Sequence, residues 1–224
     1  SNLMIVPGTT TASQVTVTAD YLALRDTSDV VMMAKTISES NIAITTAGVG
    51  GLDTGTEAAS TWYHIWIIAK TDGTVDGLLS TSSTAPTMPS GYVYKMRVGA
   101  VRNNASSNFL AFYQQGNHVI PDTTVNVLTN GTATSFTDVN VSGVVPPTSR
   151  ITTINIQQVN SGLTCGQFRA NGSAGGFEWF TSQDQYGRSD ITLPLDSTQI
   201  FEYLNSGGCT AGMTIGMTGY EDNL

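Results

Sequence analysis

Basic side chains are scarce in this sequence. Nine Lys and Arg stand against 17 Asp and Glu, a formal charge of −8 over 224 residues. The nine are scattered along the chain. A nucleic acid is gripped by a clustered basic stripe that displaces counterions from phosphate, and an anionic membrane surface asks for the same. The sequence offers nothing for a nucleic acid to bind and disfavours electrostatic binding to an anionic membrane. Charge of either sign is thin, at 12% of residues against about 25% in an ordinary soluble domain. The polar surface must therefore come from Thr, Ser, Asn, Gln and Gly, which form few ion pairs and respond little to salt. Such a surface suits a secreted or particle-borne protein better than a cytosolic enzyme.

Other absences narrow the field. Two cysteines, Cys165 and Cys209, cannot make a disulfide framework, and no CxxC occurs. They read as reduced, half-buried residues or as one bond closing the last domain. Two histidines, His64 and His118, fall short of the three or four His, Cys or acidic ligands of a zinc site. No apolar run reaches the roughly 18 residues of a membrane-spanning helix. The opening SNLMIVPGTT lacks the basic start and long apolar stretch of a signal peptide. No window holds an apolar stripe at helical spacing for three turns. Thr56–Ser60 (TEAAS) is the one candidate for a helical turn. No internal repeat is present.

What remains is strand. Gln14–Ala19 (QVTVTA), Asp29–Lys35, Asn41–Thr45, Trp62–Ala69 (WYHIWIIA), Thr74–Leu79, Tyr92–Val101 and Asn108–Gln114 combine period-two alternation with β-branched and aromatic residues. Asp72-Gly73 reads as a hairpin turn. In the second half, Thr123–Thr129 and Thr132–Val141 flank Asn130-Gly131, which predicts a type I′ hairpin. Val144-Val145-Pro146-Pro147 breaks any ladder. Arg150–Val159, Gln167–Ala170, Gly176–Thr181, Asp190–Leu195, Gln199–Leu204 and Ala211–Tyr220 complete the series. Turn residues recur at the spacing of sandwiches and barrels. The polar, proline-containing stretch 116–123 marks a boundary. The expectation is all-β: two antiparallel β-sandwich or jelly-roll-like domains, 1–117 and 118–224.

Candidate chemistry is sparse. Gly48-Val49-Gly50-Gly51 is not a dinucleotide fingerprint, since no GxGxxG follows a strand and opens a helix. It reads as a turn or tight crossing. No GxSxG elbow positions a nucleophilic serine. Asp53, Asp72 and Asp76 lie close in sequence and suit loop and turn roles, a Ca²⁺ site or a carboxylate pair for glycoside hydrolysis. His64 reads as a hydrogen-bonded core or interface residue. Residues 171–188 (NGSAGGFEWFTSQDQYGR) join glycine-rich backbone to Phe177, Trp179, Phe180 and Tyr186. Aromatics beside amides and acids form sugar-binding surfaces, and an ordinary core strand has the same pattern. The sequence points to no catalytic residue, no metal and no cofactor.

On Trp62–Ala69, Trp62, His64 and Trp66 share one face while Tyr63, Ile65 and Ile67 share the other. A sandwich strand normally turns one face to water, so something must cover the second. The expectation is a neighbouring subunit at Trp62, His64 and Trp66, with the partner domain or the rest of the first domain as the other choices.

One pattern carries a resemblance. GLDTG (51–55), ASTWYHIWIIAKTDGT (59–74), GLLSTSSTAPTMPSGYVYKMRVGAV (77–101) and FLAFYQQGN together resemble a module of bacteriophage and prophage virion proteins of the tail-fibre or head-fibre type. VPPTSR (145–150) and the ending LPLDSTQIFEYL…MTIGMTGYE are similar to its C-terminal sandwich. The resemblance covers most of residues 15–221. It implies a structural, non-catalytic virion subunit (fibre, spike or decoration), or alternatively an adhesin for a host-surface glycan. It also implies a homotrimer meeting other virion proteins, assembled in the bacterial host cytoplasm; the scattered basic residues and short apolar runs add the expectation of no nucleic acid bound and no membrane insertion.

Overall fold

The structure, a computed structural model, describes residues 1–7, 12–158, 164–175, 178–182, 188–205 and 212–224, the side chains of 157–165 and 178–189 apart. Among the described residues there are seventeen strands and no helix. The protein is all-β. The chain divides into two compact units, Ser1–Asp122 with Leu224, and Thr123–Asn223. The boundary lies a few residues beyond the 117/118 division expected from the turn-rich linker.

The first unit contains β1 (Met4–Pro7), β2 (Gln14–Arg25), β3 (Val31–Ala47), β4 (Gly51–Leu52), β5 (Trp62–Lys70), β6 (Val75–Ser80), β7 (Tyr92–Arg102), β8 (Phe112–Gln115) and β9 (His118–Pro121). Six of these close a hydrogen-bonded ring. β2 pairs β3, β3 pairs β4, β4 pairs β6, β6 pairs β5, β5 pairs β7, and β7 returns to β2 where Arg25 faces Lys95. Closure leaves no open edge within the ring. β1 takes the other half of the β2 edge and leads on to β8 and β9. Two pairings, β3–β4 and β4–β6, are parallel. The sequence gives no sign of them, because a two-residue strand has no periodicity.

The glycine cluster makes those parallel pairings possible. Gly48 and Gly50 sit at φ +78° and +74°, where side chains are strained. Gly50 donates to the Gly77 carbonyl at 2.9 Å and its own carbonyl accepts from the Ala43 N–H at 2.9 Å. The turn thus hydrogen-bonds to β6 and β3 at once. A Cβ on Gly77 would stand 2.2 Å from Ile42 Cδ1, so β3 and β6 cross as closely as glycine permits. Inside the ring Ile42, Ile65, Ile67, Leu79 and Val98 are almost wholly shut from water.

The segment Thr56–Ser60 forms no helical turn. It is held instead by the buried Asn103 amide, whose Nδ2 donates to Glu57 Oε1 at 2.9 Å and to the Ala58 carbonyl at 3.1 Å. Asn108–Gln114 also yields less strand than its pattern suggests. Only Phe112 onward joins the ladder, and Phe109 makes an isolated bridge to Asn103.

The second unit contains β10 (Val125–Gly131), β11 (Thr137–Asn140), β12 (Ser149–Gln158), β13 (Thr164–Ala170), β14 (Glu178–Ser182), β15 (Arg188–Pro194), β16 (Ile200–Asn205) and β17 (Met213–Asp222). They form two antiparallel sheets, β15-β12-β17-β10 and β11-β16-β13-β14. The chain changes sheet at every step except β13 to β14. This winding is the jelly roll, eight strands in two sheets. Phe168 and Phe201 of one sheet and Ile154, Ile156, Met213 and Ile215 of the other are fully buried. A Cβ on Gly166 would lie 3.1 Å from the Met213 methyl, so the sheets meet face to face there.

The hairpin expected at Asn130-Gly131 does not form. Both residues end β10, which pairs with β17, while β11 pairs with β16 in the other sheet. Asn130 does take the positive φ its type favours, at +53°, but in a bulged stretch of ladder where the register shifts between Leu128 and Gly131. The Tyr203 hydroxyl would stand 2.7 Å from a Cβ on Gly131. The core of the unit, and not the local turn preference, directs the chain across.

Candidate binding surface

Strand β5 decides the first question, whether Trp62, His64 and Trp66 face a partner. They do not form a free face. His64 is 2% exposed and Trp66 5%; Trp62 is half-buried, with the Arg102 guanidinium 5.8 Å from its ring centroid. The cover comes from within the same unit. Trp66, Ile68, Leu78 and Tyr92 form a buried cluster, with Met88 packed against it. The residues between β6 and β7 cross over this face, and the Trp66 Nε1–H donates to the Ser82 carbonyl at 3.2 Å. Lys95 Nζ lies 5.8 Å from the Trp66 centroid, its stem lying along apolar surface. The subunit contact expected at these three residues therefore loses its basis. A polar, Ser- and Thr-rich connection does the covering, and it carries no apolar pattern that would have announced it.

The same segment explains Asp53. Its Oδ1 accepts from the Thr54 N–H at 2.7 Å and its Oδ2 from the Thr87 N–H at 2.8 Å. GLDTG is thus a clamp on the crossing segment. Asp72 serves its turn: Oδ1 accepts from the Thr74 N–H at 2.9 Å, Gly73 takes φ +91°, and the Thr74 hydrogen bonds hold the carboxyl below its ordinary range. Asp76 takes a third role, accepting a short hydrogen bond from the Tyr92 hydroxyl. Burial, with that bond second, pushes the Tyr92 phenol well above its ordinary range. Burial, and then repulsion from Asp76, raises Glu39. Among the described residues no group of three or more His, Cys, Asp or Glu is placed to hold a metal ion. An open cleft of about 300 Å³, lined by Asn2, Thr18, Ala19, Asp20, Thr36 and Ile37, contains a single carboxylate, already accepting from Asn2 Nδ2 at 2.7 Å.

In the second unit, the aromatic stretch lies partly beyond view. Phe177 and Tyr186 fall outside the described residues, as does Cys209. Trp179 and Phe180 are described by their backbone in β14, paired with Gln167 and Gly166; Cys165 lies beside them in β13. Arg169 contacts Glu202 through Nε at 2.5 Å and Nη2 at 3.1 Å. Its guanidinium lies 3.8 Å from the Phe136 centroid, and Glu202 also accepts from the Gly172 N–H at 3.0 Å. Arg169 is the main reason the Glu202 carboxyl sits below its ordinary range.

Two residues on from Arg169, Asn171 Nδ2 donates to Asp196 Oδ2 at 2.7 Å. Burial pushes the Asp196 carboxyl up, but the hydrogen bonds from Asn171, Ile200 and Thr198 outweigh it and hold the group at about 2. Two carboxylates on β16 and its approach thus fix the backbone from which 171–188 departs. The contacts to Arg169, Asn171 and Gly172 were not legible in the sequence, because those partners lie 25 to 33 residues apart.

No protein-family model matches the chain, and neither does any curated protein or solved structure.

Proposed function

We propose that this chain is a structural, non-catalytic subunit of a bacteriophage particle (fibre, spike or decoration), self-associating as a homotrimer and contacting other virion proteins. The observation that carries this reading is the jelly-roll winding of residues 123–223, an architecture used by viral capsid and lectin domains. Fold alone supports a class of role by analogy and no specific activity. The charge-poor composition and the virion-module pattern of residues 51–116 add to it.

The test is electron microscopy of particles made with and without the gene product. Loss of an appendage or a layer of density is expected; complete particles lacking nothing would overturn the reading.

A second reading, a glycan-binding adhesin, is favoured by one observation. Asn171 and Gly172, which lead towards the strand carrying Trp179, are held by Asp196 and Glu202. Host cells should bind the wild-type chain and lose the Trp179→Ala variant. Absence of binding by both removes this reading and leaves the structural one standing.

A further inference from the structure

We infer that residues 81–91, the connection between β6 and β7, form a strap that lifts off the face of β5 as a unit, and that Asp53 is the latch that keeps it closed. The closed strap conceals an aromatic face that its opening shows without unfolding the sheet. This device is independent of both readings above.

The strap stands apart from the ladder it crosses. None of its residues joins a strand, and the ring of β2, β3, β4, β6, β5 and β7 closes without it. Lifting it therefore breaks no ladder hydrogen bond. It also brings few apolar groups to the face below. Pro86 is buried, and Met88 packs against the cluster of Trp66, Ile68, Leu78 and Tyr92. Thr81, Thr84, Ala85, Thr87 and Ser90 are exposed. A segment with little buried apolar surface opens at a lower free energy than the core strands beside it. Gly91 ends the strap at φ +85° and supplies a hinge, since glycine takes up backbone rotations that a side chain resists.

Side-chain bonds fasten the strap at two points along its length. Early in it, the Ser82 carbonyl accepts from the Trp66 Nε1–H at 3.2 Å. Later, the Thr87 N–H donates to Asp53 Oδ2 at 2.8 Å. The second bond is the stronger, because its acceptor is a carboxylate. Asp53 itself belongs to the body of the unit. Its backbone N–H donates to the Leu79 carbonyl of β6 at 2.8 Å, and its Oδ1 accepts from the Thr54 N–H at 2.7 Å. The carboxylate therefore reaches from the sheet to the strap. Within the strap, Ser82 Oγ accepts from the Ala85 N–H at 2.9 Å, a bond that travels with it. Once Thr87 is released, only the weaker neutral bond at Ser82 stands between these two fastenings and an open strap. Trp66 and Tyr92, now 5% and 8% exposed, then meet water together.

Hydrogen exchange followed by NMR on the full chain at neutral pH tests the device. In the wild type, the Trp66 indole N–H and the Thr87 amide should be equally protected, and both less than the Ile65 and Ile67 amides of β5. Asp53→Ala should lower the protection of the Trp66 indole about tenfold, the scale of losing one hydrogen bond to a charged group. The indole is the informative proton, because it does not touch Asp53. The Ile65 and Ile67 amides should keep their wild-type protection. Asp53→Asn retains one of the two acceptor oxygens, so it should fall between, and it carries the test if the alanine variant fails to fold. A wild-type Trp66 indole as protected as the β5 amides would overturn the inference. So would Asp53 variants that expose Thr87 and leave the Trp66 indole unchanged, or that lower the protection of β5 to the same extent.

Discussion

Trp66 and Ser82 are joined by a 3.2 Å hydrogen bond from indole to carbonyl, and that bond fastens the middle of β5 to the segment crossing over it. The indole is 5% exposed and anchors a cluster separate from the ring interior. Trp66→Ala should therefore cost about 3–5 kcal/mol, the range for large aromatic truncations in cores. Urea unfolding monitored in the first unit measures it. A loss under about 1 kcal/mol would mean that the crossing segment contributes little.

Gly77 and Ile42 make a sharper test of packing. A Cβ at Gly77 would fall 2.2 Å from Ile42 Cδ1, and Ile42 is 1% exposed. Gly77→Ala should destabilise by about 1–3 kcal/mol through overpacking. Ile42→Ala removes both Cδ1 and Cγ1, which stand 2.2 and 2.4 Å from that Cβ, so the double variant should lose less than the two single losses added together. Simple additivity would show that the crossing relaxes by another route.

Asp196 gives the second unit a defined acid response. Its carboxyl is lowered from 3.8 to about 2 in the folded state. Its stabilising contribution is complete above its unfolded value and is lost as pH falls through about 2. Asp196→Asn should flatten the decline in urea midpoint between those limits and leave the slope above them unchanged. Identical pH profiles for the two proteins would contradict the assigned network with Asn171, Ile200 and Thr198.

Glu39 behaves in the opposite sense. Burial and Asp76 raise its carboxyl, so its ionisation opposes folding as pH climbs through that raised value, and the cost is absent below the unfolded value. Glu39→Gln should raise the melting temperature of the first unit at neutral pH and bring no gain under acid conditions. A variant less stable than wild type at both would point to a favourable partner for the carboxylate.

Strand content, the Asp72-Gly73 turn and the conformations of Gly48 and Gly50 were legible in the sequence, because each depends on neighbours within a few positions. Asn130 shows where local reading stops. Its positive φ was legible; the hairpin it implied was not realised, because burial of Phe168, Phe201 and Met213 requires β10 and β11 to enter different sheets. The Trp62–Ala69 strand shows the same limit. Its two apolar faces were plain, but their cover was a polar segment fixed by Asp53 at a distance of 34 residues.

By itself, then, the sequence determined an all-β protein with thin charge, because side-chain alternation and turn chemistry act over short range. Only the tertiary structure decided the closed ring, the jelly-roll winding, the cover over Trp66 and the placing of Lys95 beside Arg25. Each of these is a pairing between residues far apart in the chain. Its energy comes from excluding water between surfaces that do not exist until both have folded.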